Sequence, residues 1–191
     1  MVLYFVWVRE WNHTWGASDE DVAKYMPGDE LLNDPGFNTT RAVVIESPPE
    51  EIWQWLVQMG YNRAGLYSFD RFDNGGIPSS EVILSEYQDL KAGDTIPLGP
   101  SGTGLKVVTM EPGKTMCWVF EKGPWKGATW TWGLYPVDEK HTKLVSRLRA
   151  NWVIGHPFDI IAIAFVDAFE LIMMRKCMLG IKQRAEKSVN K

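Results

Sequence analysis

The longest apolar pattern of the chain lies near its C-terminus, between His156 and about Ala185. Apolar residues recur there at steps of three and four, the period of one face of an α-helix. These residues are Ile160, Ile161, Ala164, Phe165, Ala168, Leu171, Ile172, Met178 and Ile181. Pro157 suits a first helical position, because its missing N–H would be unpaired there anyway. We therefore predict a long helix over residues 156–187, with Phe165 and Leu171 buried under the elements that cover it.

The chain before this helix changes to a period of two, which is typical of strands. Five such runs are separated by turns rich in glycine, proline and aspartate. They are Thr95–Leu98, Leu105–Met110, Lys114–Phe120, Ala128–Tyr135 and Lys143–Trp152. Consecutive strands at this spacing predict an antiparallel meander. An earlier run, Arg41–Glu46, is interpreted as the first strand of the same sheet.

Helix-start signals occur at three places before the meander. Ser18 and Asp21 form a capping box at the beginning of a short helix. Ser47 and Glu50 suggest a second capping box, with prolines in the first turn. Residues 78–90 begin with Pro-Ser-Ser-Glu and are interpreted as another short helix.

These elements predict one α+β domain, residues 1–191. An antiparallel sheet has a face that must be covered, and the C-terminal helix is the only element large enough to cover it. We expect a helix-grip fold: a curved antiparallel β-sheet wrapped around a long C-terminal α-helix, with two short helices after the first strand. Residues 1–40, which carry Trp7, Trp11 and Trp15 between polar residues, are expected to pack on the outside as an N-terminal extension.

Charge and length narrow the choice of function. A chain of 191 residues, 45% of them hydrophobic, can bury a sizeable core in one domain. Its formal net charge of −4 argues against nucleic acid as a partner, because such proteins usually carry clustered basic residues. Four charged residues interrupt the C-terminal helix, so a membrane span is not predicted. A helix lying on a membrane surface is the remaining membrane-related alternative.

The two cysteines, Cys117 and Cys177, form neither a CxxC motif nor a disulfide framework. Buried free thiols in a reducing cytoplasm are expected. The apolar run at the start is too short for a secretory signal and lacks a basic leader. Cytoplasmic localisation is therefore predicted.

Several short segments resemble one protein superfamily. They are Trp15–Ser18, Pro27–Glu30, Thr40–Ala42, Pro48–Trp53, the block Trp55–Asn74 and Met178–Lys182. Together they resemble the SRPBCC superfamily of START-like and polyketide-cyclase-like helix-grip proteins, and more closely a bacterial and archaeal branch of it. The resemblance extends over nearly the whole chain. It implies the helix-grip fold and a hydrophobic cavity between sheet and helix, but no single activity.

Motifs of the common enzyme classes are missing from the sequence. There is no phosphate-binding loop, no GxSxG and no HExxH. His13, His141 and His156 lie on separate predicted elements, and metal ligation needs them within about 2 Å of one ion. No metal, no cofactor and no catalytic residue is predicted.

Aromatic residues are the strongest candidates for a site. Trp130 and Trp132 lie two residues apart on one strand, so they share a face. Trp118 and Phe120 do the same on the preceding strand, and we expect both pairs to face the helix. The polar mouth of the cavity is assigned to the block around Tyr67. The candidate ligand-binding residues are Trp55, Tyr67, Asp70, Trp118, Phe120, Trp130, Trp132, Phe165, Phe169 and Met173.

Plainer interpretations remain open for these residues. The aromatic side chains could simply fill the core, and Asp70 or Asp73 could pair with Arg63 or Arg71. On the last strand, the face that carries Leu144, Ser146 and Leu148 is expected inside, with Arg147 and Arg149 in solvent. The reverse orientation would place Arg147 in the cavity as an anion anchor.

Three functions are compatible with these patterns. The leading hypothesis is non-catalytic binding of an apolar or aromatic small molecule in the cavity. The second is a cyclase-, aromatase- or dehydratase-like enzyme in which Tyr67 and Asp70 move protons. The third is an interaction module without a working pocket. A homodimer is compatible with all three.

Overall fold

A computed structural model describes residues 8–100, 104–151 and 159–189. Within these residues six strands form one antiparallel sheet in the order β1-β6-β5-β4-β3-β2. The strands are β1 Phe37–Ile45, β2 Thr95–Pro97, β3 Gly104–Glu111, β4 Thr115–Phe120, β5 Thr129–Pro136 and β6 Thr142–Ala150. A long C-terminal helix accompanies this curved sheet, so the predicted α+β helix-grip class is confirmed. The meander is also confirmed, and the first strand pairs with the last.

Helices lie at both ends of the chain and between β1 and β2. They are α1 Arg9–His13, α2 Asp19–Ala23, α3 Pro49–Val57, α4 Asp70–Asp73 and α5 Asp159–Val189. Two 3₁₀ turns occupy Asp29–Leu31 and Ser85–Tyr87. The capping box of α2 is confirmed, because Ser18 Oγ accepts from the N–H of Asp21 while Asp21 accepts from the N–H of Ser18.

Two local predictions are wrong. The N-cap of α3 is Pro48 rather than Ser47, and no side chain caps the helix. Residues 78–90 form only the 3₁₀ turn, because side chains take the backbone groups that a helix would need. The Ser80 hydroxyl bonds both N–H and C=O of Val82, and the N–H of Leu84 donates to Gln58 Oε1 at 2.9 Å. Such local side-chain partners compete with helix formation.

Helix α5 buries only part of the predicted face: Met178 and Ile181 are buried as predicted, whereas Ala168 and Ile172 are exposed. Its buried apolar residues are Ile163, Met174, Cys177, Met178, Ile181 and Ala185. The predicted burial of Phe165 is wrong, since this side chain is 72% exposed, and Leu171 is only partly buried. Asp167 explains which side of α5 faces the interior, because this carboxylate is wholly buried and bonds to His13. A buried carboxylate must face its partners, and this fixes the orientation of the helix.

The two faces of β6 have separate environments. Leu144 and Leu148 belong to the main apolar core, as predicted. Arg147 lies on the opposite face but is only 4% exposed, so the expected solvated position is wrong. The segment from α2 to the first 3₁₀ turn covers it: Arg147 donates to the backbone of Lys24 and to Asp29. Arg147 therefore holds the N-terminal segment against the outer face of the sheet.

In the described part of the chain, no helix has both the length and the apolar character needed to cross a bilayer. Both cysteines are buried and unpaired to each other, as predicted. Burial raises the pKa of the Cys117 thiol to about 11, so this thiol is protonated at neutral pH.

Candidate functional site

Three tryptophans lie together on the inner face of the sheet. Trp118 on β4 is directly opposite Trp130 on β5, and their ring centroids are 5.1 Å apart at an interplanar angle of 84°. Trp132 lies 5.2 Å from Trp130 and 6.1 Å from Trp118. All three belong to the main core, and the sequence spacing had placed Trp130 and Trp132 on one side of their strand. We call these three residues the tryptophan cluster.

The indole N–H groups of the cluster differ in their partners. Trp130 Nε1 donates to Ser146 Oγ on β6 at 2.9 Å. The Nε1 atoms of Trp118 and Trp132 are buried and bond to nothing among the described residues, and the same holds for Trp55 on α3. An unsatisfied buried donor costs about 1–3 kcal/mol. Three such donors in one apolar core therefore form a set of unused hydrogen-bond donors.

The helix side of this interior differs from the expectation. Met174 faces the sheet, where its sulfur lies 3.5 Å from Ser146 Oγ. Met173 is partly buried and accepts from Ser68 through its backbone carbonyl at 3.0 Å. Phe165 and Phe169 are 72% and 47% exposed, so the prediction that they face the tryptophan cluster is wrong.

Phe120 is half-buried and packs near Trp125, with ring centroids 6.3 Å apart. It lies at the end of β4, and it packs against the edge of the core that contains the tryptophan cluster. Its role in ligand binding remains a prediction.

Two hydrogen bonds hold the side chain of Tyr67 in place. Its hydroxyl donates to the Trp55 carbonyl at 3.0 Å and accepts from Gln58 Nε2 at 2.9 Å. Its backbone has a positive φ of 55°, a conformation that non-glycine residues adopt rarely. Burial raises the pKa of Tyr67 far above its usual value. The hydroxyl is therefore a neutral group with both of its roles in use.

A polar pocket of about 270 Å³ lies beside Tyr67, between the α4 segment and α5. Asp70 and Ser79 line it, and the Ser79 hydroxyl donates to Asp70 Oδ1 while accepting from the N–H of Tyr67 at 3.1 Å. Lys176 and Arg184 of α5 form part of the opposite wall. The pocket thus brings predicted residues Tyr67 and Asp70 together.

The predicted ion pairs of Asp70 and Asp73 are wrong for the described residues, where neither carboxylate takes part in a salt bridge. Arg63 donates instead to the backbone carbonyl of Val57 at 2.9 Å. Burial, assisted by the charge of Asp70, raises the pKa of Asp73. Its Oδ1 atom is buried without a partner in the described residues.

A buried polar network, which the sequence analysis missed, joins α1, β1 and α5. Asp167 lies 3.0 Å from His13 Nε2 and 2.9 Å from Arg9 Nε. One turn later, Glu170 accepts from Arg41 Nη1 at 2.6 Å. Acidic residues in an otherwise apolar helix were the available signal, because buried carboxylates require cationic or hydrogen-bonding partners.

The two carboxylates of this network have opposite pKa shifts. Burial tends to raise the pKa of Asp167, but the hydrogen bond and charge of His13, with the charge of Arg9, hold it below its usual value. Burial of Glu170 outweighs Arg41 and raises its pKa. No cluster of three metal-ligating side chains was found in residues 8–100, 104–151 and 159–189. The absence of a metal requirement remains a prediction.

Comparison with known proteins connects this architecture to solved structures. No protein-family model matches the chain, and a search of curated proteins found no match either. The di-domain ARO/CYC StfQ from the steffimycin biosynthetic pathway is similar with a TM-score of 0.53 and 12% identity. The alignment covers 81% of this chain and 52% of StfQ. A protein from Thermobifida fusca gives a TM-score of 0.53 at 11% identity, covering 78% of this chain and 93% of that protein.

The Aha1 dimer structure from Colwellia psychrerythraea is 21% identical, with a TM-score of 0.48; 78% of this chain and 96% of that chain are covered. The two structures with a TM-score of 0.53 are 11% and 12% identical to this chain, and such identities show a shared fold alone. The chain shares the helix-grip fold with these two structures, and this is the fold that the sequence resemblance had implied.

Proposed function

We propose that this protein binds an apolar, planar small molecule that carries at least one acceptor oxygen, beside the tryptophan cluster. Apolar binding sites are typically lined by aromatic side chains, with a few polar groups that orient the ligand. The tryptophan cluster supplies the aromatic surface. The proposed function is binding without a covalent step.

The observation that supports this proposal is the set of unpaired indole N–H groups. Trp118 and Trp132 each hold a donor in the core without an acceptor among the described residues. A ligand carbonyl that accepts from one of them would remove the cost of an unsatisfied donor, whereas a pure hydrocarbon would not. This difference predicts selectivity for ligands with a carbonyl group.

A matched pair of ligands tests the proposal. Fluorene and 9-fluorenone are planar tricyclic molecules that differ in one carbonyl oxygen. We expect 9-fluorenone to bind more tightly by about tenfold, since one hydrogen bond contributes about 0.5–1.5 kcal/mol. Binding should raise the thermal midpoint, because saturation at a hundredfold excess over Kd stabilises the folded state by about 2.7 kcal/mol. Tryptophan fluorescence gives an independent titration.

Substitution by phenylalanine identifies the donor. Trp118→Phe and Trp132→Phe each remove an unpaired N–H, and we expect one of the two to abolish the preference for 9-fluorenone over fluorene. Trp130→Phe is the matched control, because its N–H already bonds Ser146 and all three changes remove the same ring volume. The proposal is contradicted if neither ligand shifts the thermal midpoint, or if Trp118→Phe and Trp132→Phe both leave the preference unchanged.

One observation favours the enzyme alternative. Asp73 has a raised pKa and a buried oxygen without a partner in the described residues, which suits a proton donor. The expected second proton carrier, Tyr67, has its hydroxyl engaged with Trp55 and Gln58. If the protein cyclises a polyketide-like chain, Asp73→Asn should stop turnover without weakening the binding of 9-fluorenone.

A further inference from the structure

The outward face of α5 carries large apolar side chains that are exposed and that no described part of the chain covers. Phe165, Phe169 and Ile172 are 72%, 47% and 54% exposed, and they follow one another at steps of four and three. The rings of Phe165 and Phe169 stack at 6.4 Å with an interplanar angle of 9°. Contiguous exposed apolar surface of this kind marks an interaction site.

A groove of about 370 Å³ continues this surface towards the end of the helix. Trp11, on α1, and Phe69, before α4, line it together with Ile172. Trp11 is 59% exposed and Phe69 is 38% exposed. Beyond Phe69, the ring of Phe72 is 72% exposed and lies 6.5 Å from it. The aromatic surface therefore spans three separate parts of the chain, although two of them are short.

Two cations of α5 also line the groove. Arg175 lies over the Trp15 ring at 5.2 Å, and Lys176 lies near the Phe69 ring at 6.0 Å. Among the described residues, neither cation forms a salt bridge or a hydrogen bond, although the remainder of α5 shows that carboxylate partners are used where available. The apolar surface thus ends in two cationic groups that no carboxylate of the described residues neutralises.

We propose that this face of α5 docks on the surface of a bilayer that contains anionic lipids. Its charge is opposite to that of the headgroups, while its phenylalanines and Trp11 suit the boundary between headgroups and acyl chains. Long cationic side chains can lie along apolar surface with their charge in water. From Phe165 to Lys176 the helix extends roughly 16 Å. A small ligand would fill only the groove and leave the rest of this face exposed. The length of the face therefore favours a continuous surface such as a bilayer.

The overall net charge of −4 sharpens this assignment. A protein of negative net charge is repelled as a whole by an anionic membrane. Binding therefore has to depend on the two cations, Arg175 and Lys176, and on the exposed apolar side chains beside them. The interaction should therefore weaken when either component is removed. It should also weaken at high salt, which screens exposed charges.

Vesicle co-sedimentation tests the proposal with the full chain. We expect binding to phosphatidylcholine vesicles that contain phosphatidylglycerol, and much weaker binding to phosphatidylcholine alone. Arg175→Gln with Lys176→Gln should lower the partition coefficient about thirtyfold, at roughly 1 kcal/mol for each cation near an anionic surface. Phe165→Ser with Phe169→Ser should abolish sedimentation with the vesicles.

The control variant is Val137→Ser with Lys140→Gln. It removes one exposed apolar residue and one exposed cation from the turn between β5 and β6. This variant should bind vesicles like the parent protein, and unchanged thermal midpoints show that each variant is folded. Equal binding by the phenylalanine variant and the parent would overturn the proposal, as would no vesicle binding by the parent. Concentration-dependent self-association that the same phenylalanine changes remove would instead identify a second copy of this chain as the occupant.

Discussion

Replacing Arg147 with lysine should detach the N-terminal segment from the outer face of the sheet. The guanidinium uses all of its donors: Nε bonds Thr40 Oγ1, Nη1 bonds the Lys24 carbonyl and Asp29, and Nη2 bonds two further backbone carbonyls. Those contacts range from 2.6 to 2.9 Å. A lysine ammonium is a point charge with three donors and cannot reproduce this planar set.

The magnitude follows from the groups that lose their partner. Arg147→Lys orphans at least two of the five acceptors in a site that is only 4% exposed. Unsatisfied buried polar groups cost about 1–3 kcal/mol each, so two of them cost about 2–6 kcal/mol, while the lysine keeps its positive charge beside Asp29. We therefore expect a loss of roughly 3–5 kcal/mol in the free energy of unfolding. Arg149→Lys is the matched control: among the described residues Arg149 donates only to Asp29, so this variant should lose about 1 kcal/mol.

Equilibrium unfolding in urea measures both variants. Hydrogen exchange read by mass spectrometry adds a local measurement, in which amides of residues 18–31 should lose protection in Arg147→Lys while those of β5 keep it. The reasoning is refuted if Arg147→Lys unfolds within about 0.5 kcal/mol of the parent, which is the range of ordinary surface substitutions.

The remaining predictions concern packing, pH and thiol reactivity. Gly180→Ala should cost about 1–3 kcal/mol by overpacking, because a Cβ there would lie 2.3 Å from the Tyr67 carbonyl oxygen; Gly99→Ala, in open space, is the control in the same thermal melts. Asp167→Asn should destabilise the protein at pH 7, because the pKa of this carboxylate is lowered in the folded state and the charged form stabilises the fold above the unfolded pKa of 3.8. This stabilisation is lost as the pH falls, so urea unfolding should show the difference between variant and parent disappearing in acid. Cys117 should resist iodoacetamide at pH 7 in the folded protein, because its thiol is buried with a pKa of about 11; modification at the rate of the urea-unfolded chain would contradict this.

Regular elements were predictable where the signal was local. The capping box at Ser18 depends on residues three apart, and the strands depend on a period of two and on turn residues between them. The beginning of β1 was harder. Residues 37–40 contain Asn and Thr and resemble a turn, yet they pair with residues 147–150 of β6. Pairing with a distant strand overrides local preference.

The orientation of α5 could not be predicted from apolar spacing alone. Its first half is apolar on nearly every side, so several faces were equally suitable, and Phe165 was assigned to the wrong one. The deciding contacts are those of Asp167 with Arg9 and His13, which come from the opposite end of the chain. The same limit applies to the site: strand alternation placed the tryptophan cluster, whereas the unpaired state of Trp132 depends on three-dimensional packing.

The pairing of the first strand with the last sets the order in which this protein can form during synthesis. Phe37 pairs with Ala150, so more than a hundred further residues must be synthesised after β1 before its partner strand is complete. At ~5–20 residues per second, that wait is roughly 5–20 s on the ribosome. During this time, the β-prone run around Val43 and Val44 has no sheet to join and can pair with other chains. In the N-terminal quarter of the protein, β1 is therefore the strand that stays longest without its partner before the chain is complete.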